Sequence, residues 1–268
     1  MSKQITIISA GASAAFLQAA STIINKATGG KISTTTATTA DQHAVVVGPD
    51  TPTGVHTAVT NVPASPAPAY KGVKTVLVRA VLPRSAPDKV QLRDAIDVYA
   101  SAGINRDAEV KAATESFKKS AEVAVAKARE AGLNRVTLVV KQATKYENIN
   151  ELFKKVSAET INAAGMSSDI QGTSAATNQL IMHPESLSVV LLNDVAPTEN
   201  IELAYAGVVG GASRTYHTVN GGTISAGHSF KSVALAVAHE LRALGMKSEA
   251  EKVEAAAAKN PRAVVSAI

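Results

Sequence analysis

The sequence predicts an α/β fold, and three stretches predict it. Leu187–Leu192 is an apolar run broken only by Ser188, the pattern of a strand buried on both faces. An amphipathic helix carrying Ala176, Leu180 and Ile181 precedes it, and a helix capped by Thr198 and ending near Gly207 follows it. Ile5–Ile8 followed by Ala14–Lys26, and Arg135–Val140 set between two helical stretches, repeat the same alternation. Sheets of this class bind ligands in the loops after strand C-termini, which makes Asn193–Thr198 the first place to look for a site.

The 268-residue chain can bury a full core in one or two domains. It is 46% hydrophobic, yet it has no tryptophan and is only 3% aromatic, so the core must be Ala, Val, Ile and Leu. Having no cysteine excludes disulfides, thiolate catalysis and Cys-type zinc sites together. The net charge is +5, but the basic residues are scattered. Lys118–Lys119 and Lys154–Lys155 sit on helical patterns beside acids, as on solvated helix faces. Without interleaved aromatics or a clustered stripe, no nucleic-acid surface is expected. No run of about 18 apolar residues occurs, so no membrane span is expected. The opening residues MSKQITIIS lead straight into a strand and do not read as a signal or transit peptide.

Each element has its own local reason. Ile5–Ile8 is a short strand, and Ala14–Lys26 a helix with Phe16, Leu17, Ala20, Ile23 and Ile24 on one face. Lys31–Thr36 and Ala44–Val47 are strands. The stretch 49–71, rich in Pro, Thr and Ala as far as Pro68, reads as a surface loop. His43 and His56 lie near it and, with no further ligand at a fixed spacing, read as surface residues. Lys74–Val81 is a strand, Pro83–Asp88 a turn and Lys89–Ala100 a helix. Ile104–Ala113 leads into a helix over Thr114–Ala131, whose stripe is Phe117, Ala121, Ala124, Val125 and Ala128, with Gly132 as its stop. Arg135–Val140 is a strand of mostly β-branched residues. Asn148–Ala164 is a helix burying Leu152, Val156 and Ile161, and Ala175–Met182 is a short one stopped at His183–Pro184. Arg214–Val219 is a strand, Asn220–Gly222 a turn, and Phe230–Leu244 and Lys247–Lys259 are helices. His239, beside Glu240 in mid-helix, reads as structural or surface rather than as a ligand.

Two segments carry a resemblance to a known family. HPESLSVVLLNDVAPTENIELAYAGVVGG, His183–Gly211, is similar to the D/N-P turn, strand, N-L-x-G-D-I-L-S-D and A-G-L-x-G-G of the isocitrate and isopropylmalate dehydrogenases. QLRDAIDVYA, Gln91–Ala100, resembles their L-L-R-K-x-F-D-L-Y-A. A thinner likeness runs from Ile5 to about Ala258. It implies the fold of that family, a mixed sheet with helices on both faces. It also implies a large domain begun by residues 1–90, a small domain over 91–212, and a return to the large domain over 213–268.

The resemblance keeps the frame and loses the chemistry. The two aspartates of G-D-I-L-S-D fall on Glu199 and Leu203, and a third metal-binding aspartate falls on Ser174. Metal-assisted decarboxylation needs several carboxylates on the ion, so no metal is expected. Arg93 matches an arginine that grips a substrate carboxylate, but a lone arginine does not make such a site, and it reads first as a helix-surface arginine paired with Asp97. The next such arginine falls on Gly103. Lys141 matches a lysine that assists proton transfer, and otherwise it is a lysine at a strand end. The cofactor loop P-G-D-G-I-G-P-E falls on Ser9–Ala15 with one glycine left, and the asparagine that reads adenine falls on Ser232. After Gly103 the clasp and substrate-arm segment, with the catalytic tyrosine, is deleted, so no acid is positioned for proton transfer. No cofactor is expected.

In that family the helices matching Asn148–Ala164 and Ala175–Met182 form part of the subunit interface. Ile149, Leu152, Phe153, Val156, Leu180 and Ile181 are therefore expected to form an apolar contact with a different chain, with Phe153 near its centre. The resulting expectation is a pseudoenzyme, a structural subunit of a hetero-oligomeric protein complex. Because what it resembles is often mitochondrial, a respiratory-chain or ATP synthase assembly is the expected host. Two other readings stand beside it. One is a regulatory, non-catalytic subunit of a heteromeric NAD-dependent isocitrate dehydrogenase, which would need several of the lost arginines to hold an effector. The other is an active dehydrogenase with a remodelled site.

Overall fold

The computed structural model describes residues 3–40, 42–48, 50–61, 75–82, 106–143, 147–187, 189–194, 200–202, 213–227, 229–259 and 266. In chain order the elements are β1 (Gln4–Ser9), α1 (Ala14–Thr28), β2 (Ser33–Ala37), β3 (Ala44–Val47), β4 (Val55–Asn61) and β5 (Val76–Ala80). Next come α2 (Arg106–Glu130), β6 (Arg135–Val140), α3 (Glu147–Ala163), β7 (Ser167–Gly172) and α4 (Thr173–Met182). After a 3-10 turn at Pro184–Ser186 follow β8 (Val189–Leu192), β9 (Ser213–Thr218), β10 (Thr223–Gly227), α5 (Phe230–Ala243) and α6 (Lys247–Lys259). The helix expected over Lys89–Ala100 and the one from Thr198 to Gly207 lie largely outside the described residues.

The chain divides into two compact units, Met1–Val55 with Ser213–Ile268, and His56–Ala212. The first division lies at 55/56. The reason is β4, which pairs antiparallel with β5 from Thr57↔Ala80 to Asn61↔Val76 and so belongs with the strands that follow it. Over 55–61 that strand corrects the surface-loop reading of 49–71, of which 49 and 62–71 lie outside the described residues. Thr57, Ala58, Val59 and Thr60 are all buried. β7 and β10 are further strands that the sequence reading did not contain.

In the first unit the strand order is β2-β1-β3-β10-β9, parallel except for β9 against β10. Ile5, Ile7, Val45 and Val47 turn one face toward α1, α5 and α6, where Ala20, Ile23, Ile24, Val233, Val237, Leu241 and Val253 meet them. Alanines fill the gaps, as a core without tryptophan requires. The strand ends are drawn tightly together. Gly48 has a φ of +124°, and a Cβ there would lie 1.9 Å from the Ala10 carbonyl oxygen, so only glycine lets the turn after β1 sit against it.

In the second unit the order is β4-β5-β8-β6-β7, with β5, β8, β6 and β7 parallel. β8 is VVLL, buried throughout, because both sheet faces are covered. Val78, Val136, Leu138 and Leu191 face α2 and α3. Leu77, Val139, Val190 and Leu192 face Ala176 and Leu180 of α4. Parity along each strand thus assigns α2 and α3 to one side and α4 to the other.

Candidate functional site

The sequence places one charge inside an apolar strand: Arg79 in V-L-V-R-A of β5. It is 1% exposed, so its guanidinium must be paired. Two carboxylates do this from the C-terminal side of β8. Arg79 Nε donates to Glu202 Oε2 at 2.8 Å, and Nη1 donates to Asp194 Oδ1 at 2.8 Å. Asp194 Oδ2 in turn accepts the Leu82 backbone N–H at 2.8 Å, two residues beyond the end of β5. Thr60 Oγ1, from β4, donates to Glu202 Oε1. Glu202 and Thr60 are fully enclosed. The network therefore ties the C-terminal ends of β5 and β8, the edge where an α/β sheet would present a ligand, to Thr60 of the antiparallel neighbour β4.

A neutral chain of bonds lies beside it. Asn193 follows β8 directly and donates through Nδ2 to Asn150 Oδ1 at 2.6 Å. Asn150 Nδ2 donates to the Lys141 carbonyl oxygen at 2.7 Å, at the end of β6. Lys141 is itself half-buried. Next to it an open cleft of about 450 Å³ is lined by Val140, Gln142, Glu147, Asn150, Lys154 and Ile170, among others. Lys154 and Glu151 at its rim pair with each other.

The sequence-derived positions fare unequally. Ser174 is exposed in the first turn of α4. Arg93, Glu199 and Leu203 lie outside the described residues. Three residues of the expected apolar contact are buried within the chain. Phe153 is 0% exposed, Ile149 1% and Leu180 1%. Phe153 packs edge-on against Phe117 of α2 with ring centroids 5.2 Å apart, so its partner is its own chain. The face that the helix turns inward carries Ile149, Phe153, Ser157 and Ile161, one position round from Leu152 and Val156. Leu152 and Val156 are half-buried, and Ile181 is exposed next to Met182.

In the first unit, Ala10 N–H donates to Val47 O at 2.8 Å, and Asp50 N–H donates to Ala10 O at 3.1 Å, so backbone bonds hold the turn after β1. Ser232 is buried in a capping box. Its N–H donates to Ser229 Oγ at 3.2 Å, and its Oγ accepts from Ser229 N–H at 2.9 Å. The residue matched to the adenine-reading asparagine thus faces the start of its own helix. His239 and buried Glu240 both bond Ser225 Oγ at 2.7 Å, and His43 Nδ1 stands 3.8 Å from Glu240 Oε2. His56 bonds Thr57 Oγ1 at 2.7 Å and is only partly exposed. Among the described residues no group of three or more His, Asp or Glu side chains is placed to hold a metal ion.

Sequence reasoning missed the Arg79–Asp194–Glu202 network. The signal was present as charge within apolar strands and at their ends, but nothing local says which groups meet.

A mixed α/β architecture with the fold of isocitrate dehydrogenase is the class these features define, and comparisons with solved structures agree. The chain is similar to one in the cryo-EM structure of the Euglena gracilis mitochondrial ATP synthase peripheral stalk, at 17% identity and a TM-score of 0.72, covering 99% of this chain and 98% of that one. It is similar to isocitrate dehydrogenase from Methylococcus capsulatus at 16% identity and a TM-score of 0.63, covering 99% and 91%. It is also similar to the TT0538 protein of Thermus thermophilus, at 16% identity and a TM-score of 0.60, covering 98% and 62%. At such identities the likeness is one of fold. No protein-family profile matches the chain, and no curated protein sequence does. Among the described residues no helix is long and apolar enough to cross a membrane.

Proposed function

We propose that the chain is a non-catalytic, isocitrate-dehydrogenase-like subunit of a larger mitochondrial assembly of the ATP synthase type. The observation that carries this reading is the end-to-end correspondence with a peripheral-stalk chain, 99% of one against 98% of the other. The fold alone would suit an enzyme equally well, since function lives in the site and not in the frame. The site supports the non-catalytic reading. At the strand ends, Arg79 pairs with Asp194 and Glu202, and all three are shielded from solvent. Glu199, Leu203 and Ser174 replace the family's metal-binding carboxylates. The deleted clasp would have removed a self-pairing element and left room for other chains. Partners that are proteins fit best, with exposed Ile181 and Met182 at the end of α4 as one contact.

The test is native electrophoresis of gently solubilised mitochondria from cells carrying a tagged chain. Co-migration with ATP synthase subunits is expected, and migration alone would overturn the host assignment. The purified chain should bind neither NAD nor NADP by calorimetry, and a micromolar constant would overturn the non-catalytic reading. It should also gain no thermal stability from magnesium or manganese with isocitrate, because a ligand that binds the native state must raise its melting temperature.

A further inference from the structure

β7 leaves an open edge. It pairs with β6 from Arg135↔Ser167 to Val140↔Gly172 and, among the described residues, with no other strand. SSDIQG has neither the proline nor the lysine that commonly protect such an edge, and its one charge, Asp169, is paired with Arg135 of β6. Ile170 stands 53% exposed in its middle.

Hydrogen-bond parity says which groups are available. Ser167 N–H donates to Asn134 O at 2.9 Å, which turns Ser167, Asp169 and Gln171 toward β6. The N–H and C=O groups of Ser168 and Ile170 and the N–H of Gly172 therefore point outward, while the Gly172 carbonyl begins the hydrogen-bond ladder of α4. Side-chain parity is equally definite. Ile170 shares a face with Leu138, its register partner, while Asp169 lies on the other face, bonded by Thr137 Oγ1 at 2.9 Å and 3.6 Å from Arg135 Nε.

We propose that β7 pairs antiparallel with β7 of a second copy of this chain, about a two-fold axis passing through Ile170. This goes beyond the accessory role and does not rest on it. In this register Ile170 lies opposite the second copy's Ile170, Ser168 opposite its Gly172, and Asp169 opposite its Gln171. Each outward-facing residue meets another outward-facing residue, giving about four backbone bonds, two at the Ile170 pair and one from each Gly172 N–H to the Ser168 carbonyl of the other copy. The apolar side chains meet at the axis, and no like charges are opposed. Shifting by two residues toward the N-terminus would set Asp169 against its own copy, opposing like charges. A one-residue shift would oppose residues from different faces. The segment is thus complementary to itself, as an isologous contact requires. The threonine-rich edge of β2 has no exposed large apolar side chain of this kind.

The chain has no cysteine, so one introduced thiol reports the register cleanly. The Cα atoms of a bonded antiparallel pair lie about 5.5 Å apart, within disulfide reach. Full-length Ile170→Cys treated with diamide should become a covalent dimer, whereas Asp169→Cys should not. Light scattering should give twice the 27.5 kDa chain mass for the unmodified protein and the single mass for Ile170→Lys. Ile170→Lys changes an exposed residue, and an unchanged melting curve would show that it folds. A monomeric unmodified protein overturns the proposal, including the case in which the edge takes a strand from a different chain. So does cross-linking through residue 169 in place of 170, or a dimer that survives in folded Ile170→Lys.

Discussion

Replacing Arg79 tests whether the strand-end network is held by charge pairing. Arg79→Met keeps much of the aliphatic volume but removes the guanidinium from two carboxylates whose side chains are 8% and 0% exposed. Two charge-assisted bonds of 2.8 Å are lost. At roughly 1.5–3 kcal/mol each they sum to about 3–6 kcal/mol. Breaking one side of a buried pair independently suggests about 3–5 kcal/mol, mostly because the remaining charge cannot reach water. Against a domain stability of about 5–15 kcal/mol that is a large share. It corresponds to a melting temperature lower by roughly 10 °C. Urea unfolding followed by circular dichroism measures it, with an unchanged slope showing that the native state is still compact. Adding Asp194→Asn and Glu202→Gln to Arg79→Met removes the stranded charges and should recover at least half of the loss. A single variant that loses less than about 1 kcal/mol, no more than an average substitution, would refute the reasoning. So would a triple variant less stable than the single one.

Phe153→Ala should destabilise the isolated chain by about 3–5 kcal/mol, because it opens a cavity against Phe117 inside the core. Chemical denaturation of the purified chain checks this, and a loss below about 1 kcal/mol would restore Phe153 as a partner contact. At the surface, hydrogen bonding to Glu254 holds the Arg242 guanidinium above its ordinary range, and the same bond holds the Glu254 carboxyl below its own. A depressed carboxyl contributes stability above its unfolded pKa and loses that contribution as pH falls through the folded one. The pair is partly solvated, so Glu254→Gln should cost about 0.5 kcal/mol at neutral pH and less in salt. The gap between wild type and variant must shrink on acidification, and a gap that widened would contradict the assignment.

Local pattern was sufficient for the elements whose stability is local or whose burial is complete. Ala44–Val47 and Arg135–Val140 are apolar runs with little alternative to being strands, and Lys247–Lys259 has a helical stripe from end to end. The mixed α/β class follows from how such runs alternate. β4 was not legible, because V-H-T-A-V-T-N lies in a Pro- and Thr-rich neighbourhood. Its threonines tolerate burial only because distant groups satisfy them: Ser120 Oγ bonds Thr57 at 2.9 Å, and Glu202 accepts from Thr60. β7 was not legible for a related reason. S-S-D-I-Q-G has little strand character of its own and is extended because β6 offers it a ladder. The Arg79 network spans 115 and 123 residues of sequence, so its parts are visible as isolated charges and only the folded sheet says that they meet. Phe153 shows the division most plainly. Helical period determines that its face must leave water, and tertiary packing alone decides whether a partner or Phe117 covers it.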